Sequence, residues 1–126
     1  RCMPLKVSGP FHTRLMKPAG DVLAAHFSKL SFAPMEIPVY FNYKGGPMEE
    51  GDAIPALLER QVQSSVYWED TVRNLAADGV ETVVEFGPGI VLCGFFRKTA
   101  PEIKTYSIDT AADFRQVTAA LKGAQA

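Results

Sequence analysis

The sequence predicts an α/β layer fold with a mostly parallel sheet. Extended segments rich in β-branched residues alternate with segments whose apolar residues recur at helical spacing. Strands that are separated by helices usually pair in parallel. The 126 residues are 47% hydrophobic and 21% charged, which is an ordinary composition for a packed chain. This length fits one compact domain or a piece of a larger one.

The first half of the chain predicts two strands and two helices. A short strand over residues 4–8 ends at the break Gly9-Pro10. An amphipathic helix then starts near residues 13–17 and continues toward Leu30 along one apolar stripe. Residues 37–43, IPVYFNY, favour a second strand. Asp52 is a suitable N-cap for the second helix.

The second half predicts two further strands, over residues 80–86 and 105–108. Between them lies a helix over residues 90–98, whose last turn carries basic side chains at the negative end of its dipole. A helix closed by Gly79 precedes these strands. A C-terminal helix follows them and begins with a capping-box-like pattern at Thr110.

Composition argues against several classes of function. The formal net charge is −1, so nucleic acid is not an expected partner. No apolar run approaches the ~18 residues of a membrane span, so no membrane association is expected. Cys2 and Cys93 lie far apart and near no Cys/His pair, which predicts neither a disulfide framework nor a zinc site. A reducing cytoplasm fits this cysteine usage best.

His12 is the first candidate for chemistry. It follows the first predicted strand and precedes a helix, and ligands of open parallel sheets collect at such strand ends. The other interpretation is a loop histidine that makes a capping hydrogen bond, and position leaves both open. No GxSxG nucleophile motif is present, and Ser8 is too near His12 in sequence to form a well-aimed pair with it.

His26 contrasts with His12, because it lies on the apolar stripe of the first predicted helix. We therefore expect a boundary or core residue with one satisfied ring nitrogen. No second histidine, cysteine or carboxylate stands at ligand spacing to either histidine, so no metal is expected.

Gln61 stands on the apolar face of the second predicted helix, four residues after Leu57 and three after Leu58. An unpaired buried amide costs about 1–3 kcal/mol, so this side chain needs a partner. Either the amide ties its helix to a neighbouring loop, or the turn around it orients a catalytic group. Asn42, near the end of the second predicted strand, has the same ambiguity.

The segment Phe86-Gly87-Pro88-Gly89 joins a predicted strand to a predicted helix. Backbone N–H groups in such a junction can face an anion. The segment lacks GxGxxG spacing and a Walker lysine, so a tight structural turn is preferred. For Glu85, hydrogen bonds to turn amides are preferred over acid or base chemistry.

Several segments together resemble malonyl-CoA:acyl carrier protein transacylases. The segment VSGPFHT at residues 7–13, followed by LMKPA at 15–19, resembles the segment around the catalytic histidine of that family. The family pattern continues, in order, at residues 38–42, 60–61, 66–68, 85–89, 92 and 94. Only the C-terminal portion of such an enzyme is resembled.

The resemblance implies transfer of a malonyl group from coenzyme A to the phosphopantetheine thiol of acyl carrier protein, in fatty acid biosynthesis. His12 matches the general base that deprotonates a serine in a GHSxG elbow. Gln61 matches the glutamine whose backbone carbonyl orients that histidine. Phe11 matches a bulky residue that selects malonyl over an α-methyl analogue by ~1–3 kcal/mol. Asn42 and Arg1 are further candidates for substrate contact, and Arg1 matches a basic position that meets phosphate groups.

The resemblance also implies what this chain does not supply. A complete enzyme has a hydrolase-like three-layer core, and residues 1–126 are expected to lack its nucleophile-elbow half and its ferredoxin-like small subdomain. The chain starts without a methionine, which favours a piece of a longer chain, and the resemblance implies that this piece is the C-terminal part of the catalytic domain. It would act with an N-terminal remainder that carries the serine, and would be inactive by itself. The coenzyme A thioester is a substrate, and no bound cofactor is expected. The alternative is a non-catalytic α/β binding or scaffold module derived from such a domain.

Overall fold

A computed structural model describes residues 7–123 of the chain. The chain divides into two compact units, Arg1–Thr71 and Val72–Ala126. Most of the strand predicted over residues 4–8 lies outside the described residues, as do Arg1 and Cys2. The last two positions of that predicted strand, Val7 and Ser8, are not in a strand.

The first unit contains a 3₁₀ turn, two helices and a short antiparallel ladder. The elements are the 3₁₀ turn Arg14–Met16, α1 at Lys17–Phe27, β1 at Tyr40–Phe41, β2 at Gly46–Pro47 and α2 at Ile54–Gln63. Pro18 and Pro55 stand in the first turns of α1 and α2, where a proline lacks no needed hydrogen bond. The two helices pack on each other.

Glycine at position 20 permits the close approach of α1 and α2. Gly20 is buried, and a Cβ atom there would lie 2.7 Å from Nε2 of Gln63 on α2. At the contact with α2, α1 thus has a residue without a side chain, which leaves room for Gln63.

The apolar stripe of α1 is only partly covered. Val22 is 71% exposed and Leu15, just before the helix, is 69% exposed. His26 is also exposed, with its ring 6.3 Å from that of Phe27 in an edge-to-face arrangement. The prediction that His26 is a boundary or core residue is therefore wrong.

The start of α2 also differs from the prediction. Ala53 is the N-cap and makes no side-chain cap. The Asp52 carboxylate instead pairs with the Lys44 ammonium and accepts the N–H of Glu49 at 2.9 Å. Lys44 also pairs with Glu49 at 3.0 Å. Asp52 thus ties the turn after β1 to the segment before α2, and this use of its oxygens explains why it does not cap the helix.

Helix α3, at Trp68–Ala77, contains the boundary between the two units. The second unit is built on a parallel pair of strands, β3 at Thr82–Phe86 and β4 at Lys104–Ile108, with Val84 opposite Tyr106. Helix α4, at Val91–Thr99, packs on both strands, and α5, at Ala111–Gly123, packs on β4. The α/β class and the parallel sheet are confirmed.

The capping pattern predicted at Thr110 is present at the start of α5. Oδ2 of Asp113 accepts the backbone N–H of Thr110 at 2.8 Å, and Oγ1 of Thr110 accepts the N–H of Asp113 at 3.2 Å. This reciprocal pair is a capping box. On α5, Val117 is buried, whereas Phe114 is 54% exposed.

The strand predicted over residues 37–43 is reduced to the two residues of β1. Its partner β2 is equally short and ends at Pro47, which has no N–H to continue a ladder. Within residues 7–123, no helix has both the length and the hydrophobicity needed to cross a membrane.

Candidate active site

His12 lies at the start of the helical part of the first unit in an unusual backbone conformation. Its φ angle is 62°, in the left-handed region that residues other than glycine rarely occupy. The backbone N–H of His12 donates to the carbonyl of Val62 at 3.1 Å. Oγ1 of Thr13 donates to the carbonyl of Pro10 at 2.8 Å. Strained residues persist where their surroundings fix them, and they concentrate at functional sites.

The imidazole of His12 is oriented by a second carbonyl of the same helix. Nδ1 lies 2.9 Å from the backbone oxygen of Gln61. A carbonyl oxygen only accepts, so Nδ1 carries the proton in this bond. In the neutral ring the lone pair then resides on Nε2, the nitrogen that is able to take a proton. The resemblance implies this contact, and its catalytic meaning stays a prediction.

Both carbonyls that hold His12 belong to the last turn of α2. Carbonyl groups at a helix C-terminus lack partners within the helix, and His12 supplies two donors to them. The negative end of the α2 dipole therefore lies at the ring that would become positively charged on accepting a proton. Val62 was missed by reasoning from the sequence, because it acts through its backbone and its side chain gives no signal.

The side chain of Gln61 has its own partner. Oε1 accepts the backbone N–H of Asn42 at 2.7 Å, just after β1. The carbonyl of Asn42 in turn accepts the N–H of Tyr67 at 2.8 Å. Both interpretations of Gln61 therefore describe real contacts: its amide ties a helix to a neighbouring segment, and its carbonyl meets His12.

Phe11 stands directly before the histidine with its side chain 55% exposed. Its ring lies over the backbone of Gly9, since a Cβ atom at Gly9 would be 3.1 Å from Cε2 of that ring. The position next to His12 is compatible with contact to a substrate. Arg1, the candidate for contact with phosphate groups, lies outside the described residues.

Glu85 in the second unit accepts hydrogen bonds from the backbone at the start of α4. Its two carboxylate oxygens accept the N–H groups of Cys93 at 2.8 Å and Leu92 at 3.1 Å. These backbone hydrogen bonds, that of Cys93 first, lower the pKa of Glu85. The helix N-terminus is thus already occupied by a protein carboxylate. A structural turn is favoured over an anion site, and Gly87 and Gly89 adopt the positive φ angles that this turn requires.

Cys93 is buried, and its Sγ lies 3.3 Å from the carbonyl oxygen of Tyr106. Burial, followed by the hydrogen bond to Glu85, raises the pKa of its thiol, which disfavours the reactive thiolate. Among residues 7–123, no group of three or more His, Cys, Asp or Glu side chains is placed to hold a metal ion.

Comparison with known sequences identifies several malonyl CoA-acyl carrier protein transacylases among the relatives of this chain. The chain is 38% identical over 108 residues to the malonyl CoA-acyl carrier protein transacylase of Bacillus subtilis, covering 86% of this chain and 34% of the relative. It is 43% identical over 98 residues to the protein of the same name from Escherichia coli K12, covering 78% and 32%. No protein-family model matches the chain.

Solved structures give the same result. The malonyl CoA-acyl carrier protein transacylase of Clostridium perfringens superimposes with a TM-score of 0.90 at 28% identity, over 98% of this chain and 39% of that one. A malonyl-transacylase in complex with its type II polyketide acyl carrier protein superimposes with a TM-score of 0.79 at 35% identity, over 90% and 37%. The resemblance found in the sequence is confirmed. The chain spans about a third of the length of the curated relatives it matches.

Proposed function

We propose that this chain is the histidine-bearing part of an acyltransferase that moves a malonyl group from coenzyme A to the phosphopantetheine thiol of an acyl carrier protein. The observation that most directly supports this function is the imidazole of His12 held at Nδ1 by the Gln61 carbonyl at 2.9 Å. The names of the relatives supply the reaction, which belongs to fatty acid biosynthesis. A cytoplasmic location remains part of the proposal.

In the first half-reaction, Nε2 of His12 takes the proton of a serine hydroxyl. The serine oxygen attacks the thioester carbonyl of malonyl-CoA, the carbon–sulfur bond breaks, and the imidazolium returns its proton to the departing coenzyme A thiol. The product is a malonyl ester of the serine. Throughout this step the Gln61 carbonyl holds the proton on Nδ1 and faces the positive charge that forms on the ring.

In the second half-reaction, the same Nε2 takes the proton of the phosphopantetheine thiol. The sulfur attacks the malonyl ester, and the serine leaves with the proton from His12. One base therefore serves both halves of a ping-pong transfer. No resident cofactor is needed, because the coenzyme A thioester is itself the substrate.

The nucleophile has to come from polypeptide outside these 126 residues, which contain no GxSxG motif. We assign the serine, the arginine that binds the malonate carboxylate and the oxyanion-binding amides to an N-terminal remainder of the enzyme. This assignment agrees with the share of the relatives that the chain matches. The hydrolase-like core would then be completed by that remainder.

Phe11 is proposed to restrict the acyl pocket beside His12. Phe11 directly precedes the base in the chain and is exposed, and an α-methyl group of a larger substrate would need space near the base. Asn42 uses its backbone N–H and carbonyl within the protein, so any contact with substrate would fall to its side chain. Arg1 remains a proposed phosphate contact.

The test replaces His12 by alanine in the complete enzyme and follows malonyl-carrier formation from malonyl-CoA. A general base contributes about 10²–10⁴-fold, so a loss of that size is expected. His26→Ala, which removes the exposed histidine of α1, is the control and should keep the wild-type rate. A near-normal rate for His12→Ala would instead favour the non-catalytic binding or scaffold module.

A further inference from the structure

We propose that the side chain of Gln61 is a positioning element for the His12 base, acting through the backbone N–H of Asn42. The inference rests on the proposed function of His12. It goes beyond the Gln61 carbonyl, because any residue at position 61 supplies a carbonyl, whereas the anchor to Asn42 needs a side-chain acceptor.

The anchor is short and partly shielded from water. Oε1 of Gln61 accepts from Asn42 at 2.7 Å, and both residues are half-buried. Asn42 follows Phe41, which is 2% exposed and is paired in the β1–β2 ladder. The acceptor on α2 is therefore tied to a fixed point of the first unit and not to a loose loop.

The same point also holds the segment that follows α2. The carbonyl of Asn42 accepts the N–H of Tyr67 at 2.8 Å, so both backbone groups of Asn42 bind residues on either side of the α2–α3 connection. Asn42 thus holds the C-terminal turn of α2 through the Gln61 side chain and holds the segment after α2 through Tyr67. The carbonyls of Gln61 and Val62, which bind His12, lie in this turn.

Loss of the anchor should release the turn and, with it, the ring. The left-handed backbone of His12 depends on the Val62 carbonyl, and the Nδ1–H tautomer depends on the Gln61 carbonyl. A misplacement of a catalytic group by about 1 Å costs on the order of 10²-fold in rate. The effect should appear in kcat, because the Gln61 side chain acts through the backbone N–H of Asn42 and is not proposed to bind the thioester.

Three variants of the complete enzyme separate the side chain from the backbone. Gln61→Met keeps the length and the carbonyl but removes the acceptor, and Gln61→Glu keeps an oxygen acceptor. Gln63→Met is the matched control, because the Gln63 amide lies on the same turn and binds Glu59 at 3.0 Å. Thermal unfolding is measured for each variant, and nitrogen-15 NMR reports the tautomer of His12, whose signal is assigned by its loss in His12→Ala.

Gln61→Met is expected to lower kcat by about 10- to 100-fold with KM for malonyl-CoA unchanged, and to populate the Nε2–H tautomer. Gln61→Glu and Gln63→Met should keep the wild-type kcat and the Nδ1–H tautomer. Wild-type kcat and tautomer in Gln61→Met would overturn the positioning role while leaving the base intact. If Gln61→Met does not fold, a folded Gln61→Glu with low kcat and a mixed tautomer would overturn it equally. Full activity of His12→Ala would overturn the proposed function itself.

Discussion

Nδ1 of His12 lies 2.9 Å from the backbone oxygen of Gln61, although the two residues are 49 positions apart in the chain. In hydrolases that use a Ser-His-Asp triad, a carboxylate holds the corresponding nitrogen. Here an uncharged carbonyl at the end of a helix does so, supported by the dipole of that helix. Within residues 7–123, the partner of Nδ1 is thus a backbone carbonyl where those hydrolases use a carboxylate.

The left-handed backbone of His12 gives a stability prediction. Alanine at this position has to adopt the φ angle of 62° at a cost of roughly 1–2 kcal/mol, whereas glycine adopts it freely. Glycine also has more conformational freedom in the unfolded chain than alanine, and this offsets part of its advantage. We therefore expect the free energy of unfolding of His12→Gly to be about 1 kcal/mol higher than that of His12→Ala, as measured by urea denaturation.

The control for this comparison is Ala25→Gly on the exposed side of α1. There glycine should lower the free energy of unfolding by about 0.5–1 kcal/mol. A lower stability of His12→Gly than of His12→Ala would show that the left-handed conformation is not kept in solution.

Replacing Phe11 should change acyl selectivity. Phe11→Ala opens space next to His12, so kcat/KM for methylmalonyl-CoA relative to malonyl-CoA is expected to rise by about 10- to 200-fold. The measurement is competition between the two thioesters in the complete enzyme. Phe114→Ala, at an exposed ring of α5, is the control. An unchanged ratio for Phe11→Ala would place the selectivity elsewhere.

Gly45 should tolerate no side chain. Its φ angle is 67°, and a Cβ atom would meet the Asp70 Cβ at 2.7 Å and the Tyr67 carbonyl at 3.1 Å. Gly51 also has a positive φ, of 88°, but has open space around it. The left-handed backbone should lower the free energy of unfolding of both alanine variants by roughly 1–2 kcal/mol. Gly45→Ala should lower it measurably further, because its Cβ atom also meets neighbouring atoms. Equal losses would contradict the close packing at Gly45.

The pairing of Asp52 with Lys44 predicts a dependence of stability on pH. This hydrogen bond, and then the one from the Glu49 N–H, lowers the pKa of Asp52. A carboxyl with a lowered pKa stabilises the folded state above its unfolded pKa, and that contribution is lost as pH falls through the folded value. Asp52→Asn should therefore lower Tm at pH 7. Its difference from the wild type should begin to shrink below about pH 4, the ordinary pKa of an aspartate, and should disappear only below the lowered pKa of the folded state.

A matched control for this pair is Asp21→Asn. Asp21 pairs with Lys17 at 2.6 Å on α1, but both side chains are largely exposed, so its loss should shift Tm less. A difference between Asp52→Asn and the wild type that stays constant from pH 7 to pH 3 would contradict the ion-pair explanation.

The isolated chain should not catalyse malonyl transfer. Purified residues 1–126, with malonyl-CoA and carrier protein, are expected to give no malonyl-carrier product above the uncatalysed background. Adding the serine-bearing part of the enzyme should restore product formation. Turnover by the chain alone would show that a nucleophile within it had been overlooked. Running the assay with carrier proteins of both fatty acid and polyketide systems would define the acceptor.

Local signals in the sequence were sufficient for much of the second unit. The strands predicted over residues 80–86 and 105–108 correspond to β3 and β4, and the helix predicted over residues 90–98 corresponds to α4. The capping box at Thr110 needed only a residue three positions away. In each case the pattern and the structure that it specifies lie within one element, so periodicity and capping chemistry carry the information.

The tertiary structure decided what lies between distant elements. Asp52 was a suitable helix cap by its sequence position, but its carboxylate binds the ammonium of Lys44 and the N–H of Glu49 instead. The apolar stripe of α1 was visible in the sequence, but the face that meets α2 is the one that carries Gly20. The sequence by itself was sufficient for the resemblance to malonyl CoA-acyl carrier protein transacylases and for the choice of His12 as the candidate base. Only folding decided which carbonyls hold that base, because backbone groups are the same in every residue and become specific through the positions to which packing brings them.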